Sequence, residues 1–300
     1  MDIIQLYQDF SVDFLTEGHK HCREGWVNTP CPFCTGNPGY HLSYNLDDDF
    51  YLCWRCGWHP TSLTVSKLIH LPEHSVHPIL KKYGLRILRR SKRIEKKTNT
   101  KDHRFPSNVG ELSKRHKQYL ESRNFDPEKI EKLWKVCSTG PVSSLDGIDY
   151  KHRILIPFIW DGVQVSFDSR DVTDKNPNKY MACPLQRELI PHKSILYGKQ
   201  EEWKKTGICV EGPTDVWRLG VNSFAVSGIK ITPKQIRLIS NIFKRVHILF
   251  DPELQAWKQA AYLKYELRFR GCDAQIVYDI KSDPGSMKQE DADYLVKQLI

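Results

Sequence analysis

Gly207-Ile208-Cys209-Val210-Glu211-Gly212-Pro213-Thr214-Asp215-Val216-Trp217-Arg218-Leu219 joins a short apolar run to a helical one through an acid and a glycine. Ile208 to Val210 reads as a buried strand and Thr214 to Leu219 as a helix. The alternation continues downstream. Phe224-Ala225-Val226 precedes a helix over Pro233 to Phe243, and Val246 to Phe250 precedes one over Gln255 to Phe269. Ala274 to Tyr278 then precedes a last helix over Glu290 to Leu299. Thr232-Pro233 supplies an N-cap followed by proline at the first helical position. Strand and helix in strict turn predict a mainly parallel sheet covered by helices.

Upstream of that stretch the texture changes. Ile154 to Trp160 and Val163 to Asp168 are apolar runs joined by Asp161-Gly162, a pair suited to the positive φ angles of a type I′ hairpin. Lys114 to Ser122 and Pro127 to Trp134 read as two short helices, the second capped by Asp126. This region is expected to be α+β. With 40% hydrophobic content, 300 residues bury a substantial core and suggest two or three domains. No internal repeat is present. No window approaches the roughly 18 consecutive apolar residues of a membrane span, and the N-terminus lacks a basic-then-apolar signal. Neither membrane insertion nor secretion is expected.

Nine cysteines in a chain too long to need disulfide staples point to a reducing compartment where thiols bind metal or fill cores. Cys31-Pro32-Phe33-Cys34 and Cys53-Trp54-Arg55-Cys56 are two Cys-x-x-Cys knuckles separated by 18 residues. Two tight turns at this spacing bring four thiolates to one tetrahedral Zn²⁺, with a hairpin between them. Four protein ligands close the coordination shell, so this metal is structural. His41, His59 and Cys22 could compete as ligands but read better as surface or packing residues. Tyr40, Tyr44, Phe50, Tyr51, Trp54 and Trp58 crowd the same region. A ribbon has almost no core, so most are expected to pack around the metal and one or two to stack on unpaired bases. Asp47-Asp48-Asp49 reads as a solvated turn, and Cys137, Cys183, Cys209 and Cys272 as ordinary core or surface thiols.

The 45 basic residues exceed the 36 acidic ones, and one stretch accounts for the excess. Residues 81–104 carry eleven cations against Glu95 and Asp102, a net +9. A segment so charged reads as a flexible linker, and its natural partner is a polyanion, nucleic acid rather than membrane.

Three strands of the C-terminal sheet end in acids: Glu211 after Val210, Asp251 and Glu253 after Phe250, and Asp283 shortly after the last. Asp215 adds a fourth acid-bearing position at a helix start. Open α/β sheets place their sites at this carboxyl edge. Clustered carboxylates repel unless cations sit between them, and hard oxygen donors select Mg²⁺ or Mn²⁺. Beside nucleic acid, that chemistry is phosphoryl transfer. No Gly-x-x-x-x-Gly-Lys-Ser/Thr loop is present.

These residues resemble the DnaG-type primases of bacteria and their phages, whose catalytic core is the Toprim fold. Glu211-Gly212-Pro213-Thr214-Asp215 resembles the family's Glu-Gly-x-x-Asp motif, Asp251-Pro252-Glu253 its Asp-x-Asp motif, and Asp283-Pro284 its final Asp-Pro-Asp. Tyr119 to Phe125 is similar to the Tyr-Leu-x-x-Arg-Gly segment that opens the polymerase domain. Arg153 to Phe158, Phe167 to Arg170, Lys179-Tyr180 and Leu196-Tyr197-Gly198 match in order, behind a zinc module. The resemblance spans residues 25–300. It implies a multidomain α/β chain: a zinc ribbon over 1–80, a basic linker over 81–104, an α+β primase subdomain over 105–205, and a Toprim domain with a mainly parallel sheet over 206–300.

By the same resemblance the chain makes short RNA primers on single-stranded DNA from ribonucleoside triphosphates in the bacterial or phage-infected cytoplasm, beside a replicative helicase supplied by a separate chain. Glu211, Asp251 and Glu253 would be catalytic. Glu211, Asp215, Asp251, Glu253 and Asp283 would hold Mg²⁺ or Mn²⁺. Arg153, Arg170, Lys179 and Lys193 match the basic groove for template and nucleotide phosphates. The sequence departs from the pattern at Glu253, one methylene longer than Asp, and at Gly285, where the last acid is missing; both are expected to weaken a metal site. Cys34 stands where many bacterial members have His, as in the four-Cys phage version. With no helicase segment after Ile300, a minimal primase of a phage or mobile element is expected. The competing readings are a Toprim nuclease and a replication adaptor that no longer catalyses.

Overall fold

The computed structural model describes residues 1–18, 22–35, 39–84, 102–228, 230–278 and 283–300. Most of the basic stretch read over 81–104 lies outside the described residues. No helix of the described residues is long and apolar enough to cross a membrane.

The N-terminal part is a four-stranded antiparallel sheet of β1 (Trp26–Thr29), β2 (Leu42–Asn45), β3 (Phe50–Cys53) and β4 (Gly57–His59), in that order. Helices α1 (Ile3–Asp9), α2 (Thr61–Leu68) and α3 (Glu73–Lys82) flank it. The expectation of a ribbon without a core is corrected here. Ile3, Leu6 and Tyr7 of α1, Val65 of α2 and Val76 and Leu80 of α3 bury against Val27, Leu42, Tyr44 and Tyr51. The Tyr7 and Tyr51 hydroxyls pair at 2.8 Å inside this core, which satisfies two polar groups that would otherwise be costly to bury. Tyr44 and Tyr51 are therefore core residues, whereas Trp54 and Trp58 remain exposed.

The middle part holds β5 (Val109–Gly110), β6 (Cys137–Thr139), the small ladder β7 (Ser144–Leu145) and β8 (Ile148–Asp149), β9 (Arg153–Trp160) and β10 (Val163–Asp171). The antiparallel sheet runs β10-β9-β6-β5. Asp161 and Gly162 adopt φ of 50° and 74°, and Val163 pairs with Trp160, so the hairpin forms at the expected pair. Helices α4 (Lys114–Ser122) and α5 (Pro127–Trp134) occupy the expected segments, and the Asp126 carboxylate accepts the Lys129 N–H at 3.0 Å.

The C-terminal part is a five-stranded sheet of order β11-β13-β12-β14-β15: β11 (Tyr197–Gly198), β12 (Thr206–Val210), β13 (Ser223–Ala225), β14 (Arg245–Ile248) and β15 (Asp273–Ile276). The last four are parallel, as expected, and β11 adds an antiparallel edge too short for periodicity to reveal. Helices α6 (Pro213–Leu219), α7 (Pro233–Ile242), α8 (Leu254–Phe269) and α9 (Gln289–Leu299) complete it. Thr232 and Gln235 form a reciprocal capping box at α7.

Three guanidinium groups tie the parts together. Arg218 of α6 is fully buried over the Phe125 ring and donates to the Arg123 and Asn124 carbonyls, which fixes the α4–α5 turn against the parallel sheet. Arg270, just past α8, pairs with buried Glu266 and donates to the Asp49 carbonyl at 3.2 Å. The Glu266 carboxylate also accepts the Thr61 N–H at 2.6 Å, and Phe269 enters the N-terminal core. Asp48 pairs with Arg237 of α7, so the acidic turn over 47–49 is a half-buried docking element and not the solvated turn expected.

Candidate active site

The two Cys-x-x-Cys knuckles converge. One sulfur from each of Cys31, Cys34, Cys53 and Cys56 lies within 4.8 Å of the others, with Cys31 to Cys56 at 3.6 Å and Cys34 to Cys53 at 3.7 Å. Burial alone would raise the Cys53 thiol, but the Cys56 and Arg55 N–H groups aimed at its sulfur pull it down to about 6. That turn favours a thiolate before any metal arrives, and a closed four-sulfur donor set fits Zn²⁺. His41 Nδ1 stands 3.9 and 3.8 Å from the Cys34 and Cys53 sulfurs, and His59 Nε2 stands 3.0 Å from that of Cys56 while its ring stacks on Phe33. Both histidines line the cluster. Cys22 lies apart from it, its thiol directed at the Leu15 carbonyl.

The acids meet at the carboxyl edge of the parallel sheet. Leu249 N–H donates to the Cys209 carbonyl across β12 and β14, so the residues that follow each strand are neighbours by register. Glu211 then accepts the Asp251 N–H at 2.9 Å. Asp215, in the first turn of α6, accepts the Gly212 N–H at 2.9 Å and the Gly285 N–H at 3.1 Å. Asp283 accepts the same Gly285 N–H at 2.7 Å. One oxygen from each of Asp215, Asp251 and Asp283 lies within 4.8 Å of the other two. Metal–oxygen bonds of about 2.1 Å place opposite ligands about 4.2 Å apart, so this spacing suits Mg²⁺ or Mn²⁺. Glu211 and Glu253 are not among those three. Glu253 is exposed at the residue preceding α8.

The electrostatics ask for a cation. Burial, then the neighbouring charges of Asp251, Glu253 and Asp283, push Glu211 up to about 7. Burial and Asp283 push Asp251 up to about 6. Asp215 is raised as well, chiefly by burial and then by Asp283. Gly285 is part of the arrangement. A Cβ there would sit 2.9 Å from an Asp215 oxygen and 3.0 Å from an Asp283 oxygen, so the position expected to lack an acid is the one whose bare backbone lets two others converge.

The cations expected in a phosphate groove divide. Arg153 is fully buried, and its guanidinium donates to the Asn178 carbonyl at 2.8 Å and to the Ser169 and Lys179 carbonyls at 3.4 Å. It holds the 178–179 loop to the hairpin and does not present a surface charge, contrary to the expected phosphate contact. Lys179 is exposed. Lys193 donates to the Ser227 carbonyl, in the turn that follows β13. Arg170 donates to the Tyr119 hydroxyl at 2.9 Å and lies 4.7 Å from the Tyr180 ring centroid. Arg123, which the motif reading did not select as a site residue, shares the Tyr119 hydroxyl and feels the Asp283 charge. Its place in the Tyr119 to Phe125 segment was the available signal.

No protein-family model matches the chain, and no curated protein does. Among solved structures, the chain is similar to the zinc-binding and RNA polymerase domains of the Aquifex aeolicus primase, with a TM-score of 0.52 and 21% identity over 99% of this chain and 83% of that one. The fold is that of the DnaG primases. A DnaG primase catalytic domain bound to single-stranded DNA matches at a TM-score of 0.52 and 20% identity, covering 62% of this chain and 72% of that one. The catalytic core of DnaG matches at 0.51, also at 20% identity, over 62% and 72%. The Aquifex aeolicus match spans both the four-cysteine part and the parallel sheet.

Proposed function

We propose that the chain is a DNA primase, a nucleotidyltransferase that joins ribonucleotides into short primers on a single-stranded DNA template. The observation that carries this reading is the convergence of Asp215, Asp251 and Asp283 at one edge of a DnaG-type fold. Asp215, Asp251 and Asp283 would hold Mg²⁺ or Mn²⁺, flanked by Glu211 and Glu253. A divalent ion held there would help ionise a 3′-hydroxyl and neutralise charge on a triphosphate.

This chain's own groups do the rest. Glu211, anchored by the Asp251 N–H and pushed up to about 7 by burial, is placed to take a proton near neutral pH. Arg170 and Arg123, braced by Tyr119, orient phosphate charge, and Lys179 and Lys193 add to it. The four-cysteine module, with Trp54 and Trp58 exposed, contacts the template. In this reading the chain is a phage-type or mobile-element enzyme of the replication fork, with the helicase on a separate chain and Zn²⁺ in the four-thiolate site.

Incubation with single-stranded DNA, labelled ribonucleoside triphosphates and Mg²⁺ or Mn²⁺ tests the proposal. Short RNA that depends on template and metal is expected. Shortened template would assign a nuclease, and binding without either product an adaptor.

A further inference from the structure

The outer face of α8 has no partner within the described residues, and its composition is specific. Leu254, Trp257 and Tyr265 are 69%, 41% and 52% exposed. At 100° per residue they fall in one arc of the helix. Tyr278, 62% exposed, stands edge-on to Trp257 with ring centroids 6.5 Å apart, so the aromatic surface extends past β15. Isolated exposed apolar residues are ordinary, but an aligned group of four is not.

The same arc carries Lys258, Lys264 and Arg268. The sole carboxylate within α8 is Glu266, which is buried and bonded to Arg270 and Thr61 on the opposite side. The exposed surface of this helix therefore offers rings and positive charge, with no acid of its own. Protein-binding patches are depleted in lysine at their centres, whereas tracks for unpaired nucleic acid combine stacking rings with cations. Position adds a further argument. Leu254 comes shortly after Asp251, so the stripe starts beside the acid cluster and runs the length of a 16-residue helix, about 24 Å.

We infer that this face of α8 is a stacking track for an unpaired nucleic-acid strand entering or leaving the acid site. Trp257, Tyr265 and Tyr278 stack on bases, and Lys258, Lys264 and Arg268 follow the phosphates. The track rests on the primase reading only for its connection to the acids; binding along it needs neither a triphosphate nor a divalent ion.

The test uses the full zinc-loaded chain without Mg²⁺, Mn²⁺ or nucleotides. Anisotropy of a labelled oligothymidylate and of an oligouridylate is measured for the parent and for Trp257→Ala, Tyr265→Ala and Trp257→Phe. Each alanine variant is expected to weaken one or both strands about fivefold or more with unchanged zinc content, and Trp257→Phe to retain most of the affinity. Strands carrying 5-iodouracil should crosslink to α8. Parent-like affinity in the Trp257→Ala, Tyr265→Ala double variant, or crosslinks confined elsewhere, overturns the track. Loss of self-association in the double variant with unaltered oligonucleotide binding would instead give this face to a second copy. A chain that makes no primer yet shows ring-dependent binding would sink the primase reading and leave the track standing.

Discussion

The cysteine cluster and the acid cluster both gather metal-ligating groups around a point, but they are built in opposite ways. The four cysteines come from residues 31–56, on two turns of one antiparallel sheet, and they close on themselves. The three aspartates come from residues 215–283, from the segments that follow three different strands of a parallel sheet, with Glu211 and Glu253 beside them. A closed set of soft donors stabilises a fold; an open set of hard donors leaves positions for a substrate. The contrast teaches that spacing identifies the first kind of site, whereas topology is needed to assemble the second.

The sharpest way to break that contrast is to remove one ligand from each side. Asp251→Asn should cut ribonucleotide incorporation more than about a hundredfold, beyond the 10–100-fold typical of residues that only support ligands, while zinc content stays at the parent level. Undiminished synthesis would end the catalytic assignment. Cys53→Ser should have the reverse profile: zinc measured by atomic emission falls below stoichiometry and template binding weakens. Full zinc retention would argue against four-thiolate closure.

A subtler change probes the backbone. Gly285→Ala inserts a methyl group where two carboxylate oxygens already approach within 3.0 Å. Overpacking of this kind costs about 1–3 kcal/mol, and metal affinity read by calorimetry should fall with it. An alanine variant with parent stability and affinity would show that the turn relaxes freely. Stability without metal should also depend on pH. Glu211 and Asp251 titrate near 7 and 6 when folded, against 4.5 and 3.8 ordinarily, so the folded chain holds more protons than the unfolded one in between. Metal-free stability should therefore fall as pH rises from about 4 to 7. Added Mg²⁺ should restore more at pH 8 than at pH 5, and a thermal-melt series flat across that window would contradict the repulsion.

The parallel sheet and the hairpin were legible because strand-helix alternation and Asp161-Gly162 are local signals. The knuckles were legible for the same reason. What escaped reading depends on contacts distant in sequence. Arg153 looked like surface charge until carbonyls 25 residues away, at Asn178, were found to hold it. Helices α1 to α3 gave the ribbon a core that its own strands could not suggest. Gly285 looked like a lost ligand because no motif reports what a Cβ would strike.

Helix α8 has a last consequence. Leu267 packs in the core under the parallel sheet while Phe269, two residues later, packs among the residues around the four cysteines. One helical turn thus belongs to both halves. Heating should melt them in a single cooperative step, and stripping the N-terminal metal should loosen amide protection in α8 as well.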